Sequence, residues 1–215
     1  MLFTAASLTA LAGDLSRYRD FQLGSDLPTV TSRLGGTPSQ PKLIQSRPAL
    51  IQELGWSPRS LGPSPKPESV EGVIFSFYNG TLFRITVKYD RYATEGLTTE
   101  DFVEAISAIY GPPAKLPPPV KPMKESYDDQ SETVAQWEDP QYRFDLLRSS
   151  YGPSYSLIGT LKSLEGPVQT ANVEAKRLDD LEAPQRDAAR IGAEQKAKAD
   201  TLEKARLANK PKFRP

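Results

Sequence analysis

Neither histidine nor cysteine occurs anywhere in the 215-residue sequence. The first absence removes the commonest general base. The second removes the thiol nucleophile, the disulfide, the lipidated cysteine and every zinc site of Cys/His type. Catalysis would be left to carboxylates, lysine, tyrosine or hydroxyls, and no metal or cofactor is expected. A charge excess is missing as well: 27 Lys+Arg stand against 27 Asp+Glu. No global field then favours nucleic acid, which is not expected as a partner. No apolar run approaches the about 20 residues of a membrane-crossing helix. Lack of cysteine fits a reducing cytosol or an oxidising space in which no staple is needed, so it does not choose a compartment.

The densest structural signal lies between Val70 and Gly111. Residues 72–78 and 81–89 are β-branched and aromatic runs, and Asn79-Gly80 between them is the dipeptide a type I′ hairpin turn demands. Thr98 or Thr99 then caps a helix whose first turn is acidic at Glu100 and Asp101. Phe102, Val103, Ile106, Ile109 and Tyr110 recur at helical spacing until Gly111-Pro112-Pro113 stops it. Glu100 and Glu104 could pass for a carboxylate pair, but a capped helix face accounts for them.

Ahead of this unit, residues 2–12 are apolar and small, and Ala10-Leu11-Ala12 has the form a signal peptidase reads, so residues 1–12 are expected to be a signal peptide although no basic residue precedes the run. Ser25 or Asp26 caps a short helix with Leu27, Val30 and Leu34 on one face, ended by Gly35-Gly36. A strand follows over Leu43–Trp56, with Pro48 marking an edge strand or two shorter pieces. Past the proline-rich segment beginning at Pro112, Glu132–Trp137 is a strand, and Tyr142–Arg148 with Ser154–Leu161 a further hairpin. The order α, β, ββ, then α, β, ββ is an internal repeat in outline. It gives an α+β fold of two helix-plus-antiparallel-sheet modules (αβββ-αβββ), residues 13–90 and 91–166, with a long charged C-terminal helix at 167–215.

DFQLGSDLPTVTSRLG, in which one Leu-Gly precedes the helix cap and another closes the helix, and the hairpin FYNGTLFRITV carry a resemblance. Both halves resemble the helix-plus-three-strand modules of the bacterial envelope, the outer-membrane-assembly lipoproteins of SmpA/OmlA type and the tandem-repeat β-lactamase-inhibitor-protein fold. The resemblance implies a fold and a tendency to bind proteins, and transfers no functional residue.

From Val168 onward the composition turns to Ala, Glu, Lys, Arg, Asp and Gln. Glu182–Arg186, Glu194–Lys198 and Asp200–Lys204 are spaced i,i+4 with the acid first, as a solvated helix favours, and Pro184 is expected to break or kink it. Leu178, Leu181, Ile191 and Leu202 keep no heptad, which leaves a lone helix or a weak self-association through residues 168–208. Beyond Glu203 every charge is positive, at Lys204, Arg206, Lys210, Lys212 and Arg214, a basic end suited to an anionic surface or to solubility alone.

Strict alternation along the hairpin puts Ile74, Tyr78, Phe83, Ile85, Val87 and Tyr89 on the side that meets the helix, and Val73, Phe75, Phe77 and Leu82 on the other, beside Arg84. That second side is either buried or a binding surface. Phe75, Phe77, Leu82 and Arg84, with Trp56 and Trp137 as aromatic anchors between the halves, are the candidate protein-binding residues. Ser39-Gln40-Pro41-Lys42 matches Ser-x-x-Lys formally, but Pro41 denies it the helical turn that chemistry needs. Tyr127–Glu132 is rich in carboxylates without the spacing of a calcium loop. The expectation is a non-catalytic binding or adaptor protein, periplasmic or secreted, recognising an unknown protein or envelope component. A carboxylate-dependent hydrolase of the envelope and a spacer that self-associates through its C-terminal helix are the alternatives.

Overall fold

The computed structural model describes residues 13–34, 40–58, 69–114, 131–149, 152, 154–212 and 214. The signal-peptide segment, Gly35, Ser39, residues 127–130 and most of the proline-rich loops lie outside the described residues. The chain divides into two compact units, Met1–Gln169 and Thr170–Pro215.

The first unit opens with a small hairpin, β1 (Arg17–Tyr18) and β2 (Phe21–Gln22), and a short helix, α1 (Leu27–Arg33). Asp26 caps α1, its carboxylate accepting from the Thr29 amide at 2.9 Å, and Val30 and Leu34 turn into the core. Seven strands then build one sheet: β3 (Lys42–Gln45), β4 (Ile51–Trp56), β5 (Val70–Tyr78), β6 (Thr81–Tyr89), β7 (Ser131–Glu138), β8 (Tyr142–Ser149) and β9 (Tyr155–Leu161). Their order across the sheet is β3-β4-β5-β6-β9-β8-β7, antiparallel throughout. The expected strand over Leu43–Trp56 is thus two pieces, parted by the loop that holds Pro48, and β3 is an edge. Strands from the two halves of the chain meet along β6 and β9, where Arg84–Lys88 pair with Ser156–Thr160. The architecture is α+β with one shared sheet and one main core to which both halves contribute.

Helix α2 (Thr99–Tyr110) links β6 to β7. Thr98 and Asp101 form a reciprocal capping box, the Thr98 hydroxyl accepting from the Asp101 amide and the Asp101 carboxylate from the Thr98 amide. Phe102, Ile106 and Tyr110 turn inward, three side chains at i, i+4 and i+8. Ile109, expected to meet the sheet, is 66% exposed instead.

A β-bulge corrects the expected distribution of side chains on the hairpin. Asn79 and Gly80 both have positive φ, as a type I′ turn requires, and Tyr78 pairs with Thr81. Phe77 then pairs with Leu82 but Ser76 with Arg84, so Phe83 is an extra residue in β6. Beyond it the alternation is inverted. Ile85 and Val87 share a face with Phe75 and Val73, their cross-strand partners, and this face carries the main core. Phe83 points to the opposite face, where it packs with Ile51, Leu164 and Val168. Leu164 and Val168 belong to the first turns of α3 (Lys162–Asn209). Arg143 fixes that start: its Nε donates to Asp145 at 2.9 Å and its terminal nitrogens to Glu165.

In the second unit α3 continues to Asn209, followed by a 3-10 turn over Lys210–Lys212. It passes through Pro184 without the expected interruption. Arg186 reaches Asp179 at 3.0 Å and Glu182 at 3.8 Å, and Arg190 pairs Glu194 at 2.9 Å, the partner expected of Lys198. Such exposed pairs contribute only a few tenths of a kcal/mol each, about 0.3–0.5 on a helix. Val173, Leu181, Ile191, Leu202 and Leu207 are exposed at positions that form no stripe, so this is a helix polar on all sides. Among the described residues no helix is long and apolar enough to cross a membrane.

Candidate functional site

The sheet face singled out as a docking surface is the interior of the protein. Phe75, Phe77 and Leu82 are wholly buried, with the Phe21 ring tilted against Phe75 at 4.6 Å between ring centres. The bulge at Phe83 is the reason: it brings Ile85 and Val87 round to the same face, and α1, α2 and the β1–β2 hairpin supply its cover. Arg84 stays exposed on the other face, its guanidinium 5.5 Å from the Phe83 ring centre.

The two tryptophans part company. Trp137, 1% exposed, donates its indole N–H to the Gly111 carbonyl at 2.9 Å and so closes the end of α2. Trp56 is half-buried at the margin of the same core, and its Nε1 is fully buried without a hydrogen-bond partner among the described residues. Neither ring lines the principal cleft. Of the basic end, Lys204, Arg206, Lys210, Lys212 and Arg214 are all exposed, and Arg206 is engaged in a two-pronged bond to Glu203 at 2.6 and 2.7 Å. Glu132 pairs with Arg148 at 2.9 Å, and Glu100 and Glu104 are exposed.

A site of a different kind lies at the end of the sheet where α2 finishes. The β1–β2 hairpin and the residues before it form one wall, through Asp14, Arg17, Tyr18 and Arg19. The second wall is α2, through Ala105, Ile106, Ile109 and Tyr110, and the floor is Ser69, Val70, Tyr89 and Leu157. They enclose a cleft of about 430 Å³, within the about 300–1,000 Å³ typical of small-molecule sites.

Local chemistry explains why the first wall stands where it does. Leu15, Tyr18 and Leu23 are buried, and the Leu23 amide donates to the Ser16 carbonyl at 2.8 Å. The Tyr110 hydroxyl donates to the Arg17 carbonyl at 2.9 Å across the cleft's inner end. Gly13 lies so close to the last turn of α2 that a Cβ would come within 2.1 Å of the Ile109 carbonyl oxygen. Only glycine fits there. At the hairpin turn, Arg19 adopts a positive φ of 51°, a conformation L-residues with a Cβ rarely hold. Its guanidinium sits 5.6 Å from the Tyr18 ring centre.

The electrostatics of the cleft are set by neutral phenols and by the Arg17–Asp14 pair. Burial pushes the Tyr89 and Tyr110 hydroxyls well above the ordinary tyrosine range; the nearby Tyr18 reinforces both shifts and the Arg19 charge opposes that of Tyr89. Asp14 is held below the usual carboxylate range, first by bonds from the Ser16 hydroxyl and amide, then by Arg17 at 2.7 Å. Tyr89 makes no hydrogen bond among the described residues. Its ring lines the cleft, with burial as the chief cause of its raised pKa. No group of three or more carboxylates gathers as a metal site among the described residues.

Tyr18, Arg19, Tyr89 and Tyr110 carry no local signature; they converge only because the β1–β2 hairpin, the end of β6 and the end of α2 meet at one corner of the sheet. Comparison with protein-family models, curated proteins and solved structures yields no match, so the chemistry of the cleft must speak for itself.

Proposed function

We propose that the protein is a non-catalytic binding protein of the periplasmic or secreted space, and that it recognises an envelope component through the tyrosine-lined cleft. The observation that carries this reading is the lining itself. Val70, Ile106, Leu157 and three tyrosine rings make an apolar pocket in which Tyr89 and Tyr110 stay protonated at neutral pH. Such a pocket offers contact area and a hydroxyl donor, whereas proton transfer needs a group titrating near the working pH. The apolar, small-residue segment at 2–12 supports export. The strand order, with β4-β5-β6 from one half and β9-β8-β7 from the other, supports two related αβββ modules fused into one sheet, as in the envelope modules the sequence resembles. The α3 helix would then display the basic end toward an anionic surface.

The test is a cleft-filling substitution, Ala105→Trp, in the full chain. A component captured by photocrosslinking from the native envelope should be lost from Ala105→Trp while the thermal melt is retained. Capture undiminished by the filled cleft would overturn the reading.

A further inference from the structure

Resting on that reading of the cleft, we infer that the group it takes is an uncharged, compact aromatic ring system, held by contact area and not by charge. The placement of charge in the lining is the first observation. Its charged side chains, Asp14, Arg17 and Arg19, are all exposed, and each is already engaged within the protein: Asp14 pairs with Arg17 at 2.7 Å, and the Arg19 guanidinium sits 5.6 Å from the Tyr18 ring centre. The buried part of the lining, Tyr18, Val70, Ile106, Tyr110 and Leu157, carries no charge. An ionised group lodged against it would give up hydration and meet no countercharge, a cost an uncharged body does not bear.

The second observation is an apolar strip on α2 beside its core stripe. Phe102, Ile106 and Tyr110 are buried, whereas Ala105 and Ile109, one turn apart, are exposed and line the cleft. A single exposed apolar side chain means little, but two on the wall of a concavity give a guest apolar surface to cover. The third is that the phenol walls are held in place. Tyr110 stacks on Phe144 at 4.6 Å between ring centres and donates its hydroxyl to the Arg17 carbonyl at 2.9 Å, and Tyr89 meets Phe102 edge-on at 5.3 Å. Rings fixed beforehand lose little freedom on binding, and they favour another flat ring over a flexible chain that must be ordered. A cleft of about 430 Å³ admits one such ring system.

The experiment is calorimetric titration of the full chain at neutral pH with 2-naphthol, its ionic counterparts 2-naphthoate and 2-naphthylmethylammonium, and 1-decanol, repeated at high salt and on Ile109→Asp and Ala105→Trp. 2-Naphthol should bind roughly tenfold more tightly than either ion and more tightly than 1-decanol, and added salt should not weaken it. Ile109→Asp, a change at an exposed position, should weaken 2-naphthol severalfold with the thermal melt retained, and Ala105→Trp should abolish its binding. Either ion binding as tightly as 2-naphthol, 1-decanol binding as tightly, or an affinity that falls with salt would overturn the uncharged-ring assignment. So would binding of none of the four, or 2-naphthol binding that survives both substitutions. The wider reading is decided separately, by whether Ala105→Trp loses its captured component.

Discussion

Two hairpins in this protein turn on two residues each, and they obey the rules of the hairpin very differently. The β5–β6 turn uses Asn79-Gly80, residues that take positive φ readily, and Asn79 also ties the neighbouring loop: its side chain accepts from the Leu50 amide at 2.9 Å and its own amide donates to the Leu50 carbonyl at 2.8 Å. The β1–β2 turn uses Arg19-Asp20, with the arginine at φ 51°, and is steadied from outside by Arg33 donating to the Asp20 carbonyl. The first hairpin is built for stability, with Phe75, Phe77, Leu82 and Ile85 in the core. The second, with strands of two residues, is a cleft wall held by its packing and by Tyr110. Sequence and conformation agree at Asn79-Gly80 and part at Arg19, where a residue with a Cβ holds a left-handed conformation.

The largest effect should come from attacking the first hairpin. Phe75→Ala leaves a cavity under β4, β5 and Phe21 and should cost about 3–5 kcal/mol, abolishing or strongly lowering the cooperative thermal melt. A melt shifted by only a degree or two would place Phe75 outside the core. The second hairpin should respond locally. Gly13→Val drives a side chain into the Ile109 carbonyl, an overpacking worth about 1–3 kcal/mol. Amide exchange at Leu23 should accelerate while β5 and β6 remain protected; uniform loss of protection would mean that the two hairpins unfold as one.

The sharpest contrast is between the turns themselves. Gly80→Ala, at φ 82°, should destabilise by about 1–2 kcal/mol. Arg19→Gly should stabilise by about 0.5–1 kcal/mol, since relief of the left-handed strain exceeds the extra entropy of the unfolded chain. Chemical denaturation of both variants measures the two signs, and a loss of stability in Arg19→Gly would show that the arginine serves the fold. The smallest effect is on pH dependence. Tyr89 and Tyr110 have folded pKa values raised above the ordinary 10.0. Their contribution is therefore fully present below pH 10 and is lost above it, as the unfolded chain gives up protons that the folded chain keeps. Stability should be level from neutral pH to about 10 and fall beyond, less steeply in Tyr89→Phe, as a series of denaturation curves would register.

Much of this fold was legible in the residues. Asn79-Gly80, the Thr98 cap, the Asp26 cap and Gly111 each require a particular local geometry, and each is found where it was expected. The facing of the sheet was not legible, because one unpaired residue at Phe83 inverts the alternation beyond it and nothing in the sequence marks a bulge. The place of Trp137 was not legible for a related reason: its indole N–H closes the end of α2 on the Gly111 carbonyl, a demand set by tertiary packing. The cleft escaped altogether. Its tyrosines belong to β1, β6 and α2, and only the folded corner brings Tyr18, Tyr89 and Tyr110 together.

The seam between β6 and β9 bears on the order of events as the chain forms. Arg84 finds Thr160, and Lys88 finds Ser156, only after α2, β7 and β8 have been made. Until then one side of β6 is a bare edge carrying Leu82, Ile85 and Val87, open to pairing with any other extended chain. Closure across so long a stretch is slow compared with forming the β5–β6 hairpin. A chain interrupted before Tyr155 would keep that edge exposed, which makes aggregation of truncated forms a direct consequence of where the two halves meet.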